Sequence, residues 1–285
     1  FGDILKAVSK SPAMLQFLNN QQNKKSSPNE NFAREVMELF TMGRGNYTEQ
    51  DVKEAARAFT GWGFNVQGEF VSRPFQHDKG SKTILGKTGN FSGDDVLNIL
   101  LEQEQTALHI TRKLYRYLVN ENAEEEKVTW LAKRFFNNQY NIGKLLEDIF
   151  TSDWFYSEKN IGTRIKSPVE LLAGIRRLLP LQLDNDQTQL LFQKVLGQVL
   201  FFPPNVAGWP GGRSWIDSST LMVRLQIPQA LVAKEPVSIR AKSDDDVNMG
   251  QMMEEQIRIK KNKAIVSKGG SASIDWAPVV KIFET

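Results

Sequence analysis

Asn29-Glu-Asn-Phe-Ala-Arg-Glu-Val-Met-Glu-Leu-Phe-Thr-Met-Gly43 reads as a helix with a start signal just before it and a stop signal at its end. Ser27 is a good N-cap, Pro28 suits the first helical position, and Glu30 stands three residues after the cap, the spacing of a capping box. Gly43 stands where a left-handed residue closes a helix. Helical periodicity puts Phe32, Val36, Met37, Leu39 and Phe40 on one broad side. Asn31, Arg34, Glu35 and Glu38 fall on the other, at i, i+3, i+4 and i+7. That polar stripe has two readings. One is a solvated face with an Arg34–Glu38 pair, worth about 0.3–0.5 kcal/mol. The other is a preorganised cluster facing another element, with two carboxylates on adjacent turns.

Outward from this helix the pattern stays helical. Phe1 to Val8 reads as a helix, and the chain opens inside it without Met, so a further N-terminal portion is expected to precede it. Thr48 with Asp51 opens a second helix that Gly61 closes. Further helices are expected at about 94–101, about 106–119, after an Asn122 cap with Glu124, Glu125 and Glu126 in the first turn, and at 142–150. Ser167-Pro-Val-Glu170 opens one ending near Leu179, Gly197 stops one begun at Gln187, and the last runs over 218–233. Two stretches break the pattern. Residues 62–88, with a Gln67-Gly68 turn, predict a small two- or three-stranded ribbon. Residues 201–217 are too rich in proline and glycine for regular structure and too aromatic for a free loop, so they predict an ordered loop packed on helices.

The fold class is therefore mainly α: a multi-helix orthogonal bundle over 1–233, with a small β-ribbon insertion and an ordered Pro/Gly/Trp-rich loop. Residues 234–285 shift in composition, through Asp244-Asp-Asp246, a Met-rich stretch and the basic Lys260, Lys261 and Lys263, and read as a peripheral C-terminal appendage.

Composition excludes several chemistries. Cysteine is absent, which rules out disulfides, thiolate metal sites and a cysteine nucleophile. With only His77 and His109, a zinc site of two or three histidines is nearly excluded. A net charge of +3 is too small to argue for nucleic acid, and the basic run reads as a solvated helix end. No run approaches the ~18 apolar residues of a spanning helix. Lys79-Gly-Ser-Lys82 lacks the upstream glycine and following helix of a phosphate loop, so no nucleotide is expected.

Several blocks, in order, resemble a large bacterial family catalogued as domain of unknown function 1800. They are Asn29 to Gly43, Tyr47-Thr-Glu-Gln-Asp-Val, Ala55-Ala-Arg-Ala-Phe-Thr-Gly-Trp62, His77-Asp-Lys-Gly-Ser-Lys82, Ile84-Leu-Gly86, Arg112-Lys-Leu, Lys166-Ser-Pro-Val-Glu170, Pro203 to Gly212 and Ser214-Trp-Ile216. The resemblance covers roughly residues 28 to 225. It implies an exported protein, periplasmic or at the cell surface, often encoded beside a sulfatase-like partner. The family has no agreed activity.

The family words contain Asn31, Arg34, Glu35, Glu38, His77, Asp78 and Lys82, which sharpens the functional reading of the stripe. Glu35, Glu38, His77 and Asp78 are the catalytic candidates. Glu35, Glu38 and His77 would be the ligands of a divalent metal, if one binds. The two carboxylates could instead divide acid and base roles. A structural version has Arg34 forked onto a carboxylate. The bland reading of His77-Asp78 is a capped turn, and that of His109 a structural or exposed residue. Binding candidates are Asn31, Arg34, Lys82 and the aromatic Trp62, Trp209 and Trp215, with Phe201 and Phe202, which stack on sugars or cover the core. The leading expectation is an exported accessory or binding protein acting on or with extracellular glycan or polymer. A metal-dependent or paired-carboxylate hydrolase and a purely structural helical domain stand beside it.

Overall fold

The computed structural model describes residues 1–179, 181–183, 186–233 and 272–274. The acidic, Met-rich and basic runs of 234–271 lie outside the described residues. The fold is mainly helical, as the periodicity predicts, but the chain divides into two compact units, Phe1–Arg164 and Ile165–Thr285. One piece of the expected appendage belongs to the second unit as a strand.

Unit 1 begins with α1 (Gly2–Ser9), α2 (Pro12–Phe17), α3 (Asn31–Glu38) and α4 (Glu49–Ala58). Two hairpins follow, β1 (Trp62–Phe64) with β2 (Phe70–Ser72), and β3 (Lys82–Ile84) with β4 (Lys87–Gly89). The unit closes with α5 (Gly93–Leu101), α6 (Glu104–Leu118), α7 (Glu125–Asn137) and α8 (Ile142–Phe150).

The start of α3 differs from the sequence expectation. Ser27 does not cap it; it forms an isolated bridge with Lys24. Asparagines hold the lead-in as a turn: Asn23 Oδ1 accepts from Asn29 N at 2.9 Å, and Asn29 Oδ1 accepts from Asn31 N at 3.0 Å. The far end loosens early. Phe40 N and Met42 N donate five residues back, to Glu35 O and Met37 O, and the Thr41 hydroxyl donates to Val36 O at 2.7 Å. Gly43 then reverses the chain at φ 79°, as its position predicts.

The Thr48 cap forms as the sequence predicts, and the structure adds one at Ser92 beyond those expected from the sequence. Thr48 and Asp51 close a reciprocal capping box on α4, and Ser92 and Asp95 do the same on α5. Asn122 does not cap α7, whose cap position is Glu124.

Phe32 of α3, Phe59 after α4, Trp62 of β1 and Phe70 of β2 form a chain of edge-to-face rings with centroids 5.0, 5.2 and 5.2 Å apart. This chain welds the first hairpin to the helices. Gly93 lets α5 pack against it, because a Cβ there would lie 2.4 Å from Trp62. A second cluster, including Tyr115, Leu131, Phe135, Leu145 and Ile149, fills the space among α6, α7 and α8.

The expected single ribbon is two separate hairpins. Between them Gln76 N donates to Arg73 O, and Asp78 Oδ1 accepts from Gly80 N. These successive turns stop β2 from reaching β3.

Unit 2 contains α9 (Pro168–Leu178), β5 (Leu181–Leu183), α10 (Asp186–Val195), α11 (Ser218–Ala233) and β6 (Ala272–Ile274). β6 pairs antiparallel with β5, Leu181 opposite Ile274. Ser167 and Glu170 cap α9 reciprocally behind Pro168, as read. Phe192, Leu196 and Ile227 form this unit's own core, with Leu172, Ile175, Leu179 and Val223 around it.

Candidate functional site

The polar stripe of α3 lies outward from its buried face of Phe32, Ala33, Val36 and Met37. Arg34 does not pair with Glu38. Its two terminal nitrogens fork onto Glu49 Oε1 and Oε2 at 2.7 Å each, and Nη2 reaches Glu30 at 3.2 Å. The i−4 and cross-helix carboxylates outcompete Glu38 because Glu38 accepts the Tyr47 hydroxyl at 2.5 Å. Burial and that bond push the Tyr47 hydroxyl pKa up. Asn31 Nδ2 donates to Leu18 O at 3.1 Å, tying α3 to the end of α2. Glu35 is half-buried and has no hydrogen-bond or ion-pair partner among the described residues. Its carboxyl pKa is raised by burial, and then by Glu38 one turn on.

A second polar cluster forms at the other end of α4. Arg57 Nε and Nη2 fork onto Asp78 at 2.7 and 3.3 Å, and Nη1 reaches Glu54 at 2.7 Å and Ser81 O at 3.1 Å. Its guanidinium holds the Asp78 carboxyl below the usual range. Lys82 is 1% exposed. Its Nζ donates to Asp78 O at 2.6 Å and Gly80 O at 3.0 Å, and burial lowers its pKa. His77 Nδ1 donates to Thr60 O at 3.0 Å, which fixes the ring and leaves Nε2 on the other side.

His77 and Asp78 also line an open pocket of about 420 Å³ with Lys25, Pro74, Phe75 and Lys79. The loops around it are stitched by backbone bonds, Gly61 N to Asn23 O, Arg73 N to Gly61 O and Lys25 N to Gln76 O.

The two clusters do not converge. Arg34 and Asp78 attach to Glu49 and Arg57, eight residues apart on α4, or about 12 Å along its axis. Among the described residues no three His, Asp or Glu side chains are grouped to hold a metal ion. Glu35, Glu38 and His77 therefore do not form the three-ligand set that the sequence suggested. Asp78 is neutralised by Arg57, so it is not poised beside His77 as a free base.

The aromatic candidates separate too. Trp62 and Trp215 are 4% and 7% exposed, so both are core residues rather than contact platforms. Trp209 is half-buried. Phe201, by contrast, is 90% exposed and Phe202 48%. His109 is half-buried against Gly43, where a Cβ would stand 2.6 Å from Nδ1. It is structural. It shares a face of α6 with Gln105 and Lys113, which donate to Met42 O and Leu39 O at the end of α3.

Sequence reasoning missed Tyr47, Arg57, Lys25 and Phe75. Arg57 carried a signal, a lone charge in the apolar Ala55-Ala-Arg-Ala-Phe59. Lys25 and Phe75 carried none, because only the folded loops bring them together.

A family model described as Protein of unknown function (DUF1800) matches residues 1–275. No curated protein and no solved structure matches the chain. No helix among the described residues is long and apolar enough to cross a membrane.

Proposed function

Because this chain belongs to the DUF1800 family of proteins of unknown function, we propose that it is an exported accessory protein that binds extracellular glycan or polymer, acting beside a sulfatase-like partner. One observation carries the binding reading. Phe201 is 90% exposed and stands on a left-handed backbone at φ 67°, a conformation unfavourable for a bulky residue. The fold nevertheless presents it beside exposed Leu200 and Phe202. Gln193 of α10 supports the loop, its Oε1 accepting from Leu200 N at 3.0 Å. Ring faces held out in this way suit the apolar faces of sugars.

The test is electrophoresis through gels containing a panel of soluble polysaccharides. The native chain should be retarded by at least one, and Phe201→Ser/Phe202→Ser should weaken that affinity about tenfold. Unchanged mobility in every polymer, or equal retardation of the variant, sinks the reading.

A specific observation also supports the paired-carboxylate hydrolase as second reading. Glu35 has its pKa raised by burial and lacks a partner, while Glu38 is hydrogen-bonded one turn away. Under that reading Glu35→Gln abolishes polysaccharide cleavage without lowering the melting temperature.

A further inference from the structure

We propose that the pocket at the end of α4 is the subsite for an acidic sugar. The inference rests on the glycan-binding reading and deepens it by naming the ligand class. Three features of the pocket are complementary to three features of such a sugar.

The first is charge. Lys25 and Lys79 are exposed at the rim, and neither has an ion pair among the described residues. The acid in the wall, Asp78, is engaged by Arg57, and Glu54 behind it by the same guanidinium. Lys82 lies beneath, buried, and bonds only to carbonyls and Asn90. Of the charged residues that line the cavity, Lys25 and Lys79 thus face the single carboxylate Asp78, whose charge Arg57 already offsets, which leaves a positive excess at an open cavity. Two free ammonium groups attract a carboxylate or a sulfate ester.

The second is a hydroxyl acceptor. Because Nδ1 of His77 donates to Thr60 O, a neutral ring carries its lone pair on Nε2. Nε2 has no partner among the described residues, and His77 lines the cavity. It can accept from a sugar hydroxyl.

The third is a ring face. Phe75, 74% exposed, follows Pro74 on the same wall, and the backbone bonds from Lys25 and Gln76 hold its loop. An aromatic fixed beside two cations and a ring nitrogen fits a sugar ring bearing both hydroxyls and one anionic group. An inorganic anion would use only the first of these features.

The experiment uses the whole chain in gels of polygalacturonate, dextran sulfate, dextran and polyphosphate. The proteins are the native chain, Lys25→Gln/Lys79→Gln, Phe75→Ser and the control Lys53→Gln, which removes an exposed charge from the middle of α4. Retention by polygalacturonate or dextran sulfate above that by dextran is expected, and the stronger of the two identifies the anionic group. Lys25→Gln/Lys79→Gln and Phe75→Ser should each lose about tenfold in affinity, with melting temperatures unchanged, while Lys53→Gln loses nothing. Equal retention by dextran overturns the acidic-sugar inference and leaves the glycan reading standing. Equal retention by polyphosphate, or an equal loss in Lys53→Gln, shows a general polyanion surface and overturns it as well. No retention by polygalacturonate or dextran sulfate overturns the acidic-sugar inference, and the glycan reading falls with it only if the whole polysaccharide panel also leaves mobility unchanged.

Discussion

At the scale of the residue, Asp78 shows how a candidate catalytic group can be a structural one. Arg57 forks onto its carboxylate, both partners are less than a third exposed, and its pKa lies below the ordinary range. Asp78→Asn keeps the shape and removes the charge, and should lower stability by about 1–2 kcal/mol near neutral pH. In a unit of this size that is about 2–8 °C in melting temperature. The sign of the pH dependence follows from the depressed pKa. The carboxylate contributes fully above the ordinary carboxylate range, and that contribution is lost as pH falls through the folded value. The gap between native chain and variant should therefore be widest near pH 7 and narrow towards pH 3. Melting curves across that interval check it, and a gap independent of pH would show that Arg57 is not holding a charge. The sequence disclosed that His77-Asp78 mattered locally, since a histidine beside an aspartate usually caps a turn. It could not disclose Arg57 as the partner, because 21 residues and a hairpin separate them. Gly43 is the opposite case: its stop position was legible, but the His109 imidazole that also forbids a side chain there was not.

At the scale of the element, capping motifs were legible where their hydrogen bonds are local, and misleading where a neighbouring segment competed for them. Thr48-x-x-Asp51, Ser92-x-x-Asp95 and Ser167-x-x-Glu170 all close as reciprocal boxes. Ser27-Pro28-Asn29-Glu30 has the same grammar, yet Asn23 takes the Asn29 amide and Asn29 takes that of Asn31. The lead-in turn thereby displaces the helix start by three residues. Thr48, which caps its helix, and Ser27, which does not, give a paired prediction. Thr48→Ala should destabilise unit 1 by about 1 kcal/mol, and Ser27→Ala should fall within about 0.5 kcal/mol of the native chain. Urea titrations of the two variants measure both. A Ser27→Ala loss equal to that of Thr48→Ala would mean that α3 begins where the sequence pattern put it. The hairpins were predicted as one ribbon for a related reason. Alternation and the Gln67-Gly68 turn announce strands, whereas the backbone turn at Arg73–Gln76 and the Asp78 side-chain bond to Gly80 N are hydrogen bonds that composition does not reveal.

At the scale of the whole molecule, the helical class was plain from periodicity, while the division was not. The composition shift near residue 234 drew the boundary there, but chain contacts divide at Arg164, inside a stretch with no linker character beyond Gly162 at φ 71°. Each side holds its own core: the edge-to-face chain from Phe32 to Phe70 and the α6–α8 cluster in one, and Phe192, Leu196 and Ile227 in the other. A chain of 164 residues buries roughly 70% of its unfolded surface, enough for independent stability. Residues 1–164 expressed alone should therefore melt cooperatively, within a few degrees of one transition of the full chain, and the full chain should not obey a single two-state curve. Calorimetry of both proteins decides it. If 1–164 shows no cooperative transition, the cores are interdependent, and the 164/165 boundary is geometric rather than energetic. If it melts as expected, the acidic-sugar pocket and the Phe201 loop belong to separately stable modules, and their contributions to glycan affinity should combine additively when the Phe75 and Phe201/Phe202 substitutions are joined.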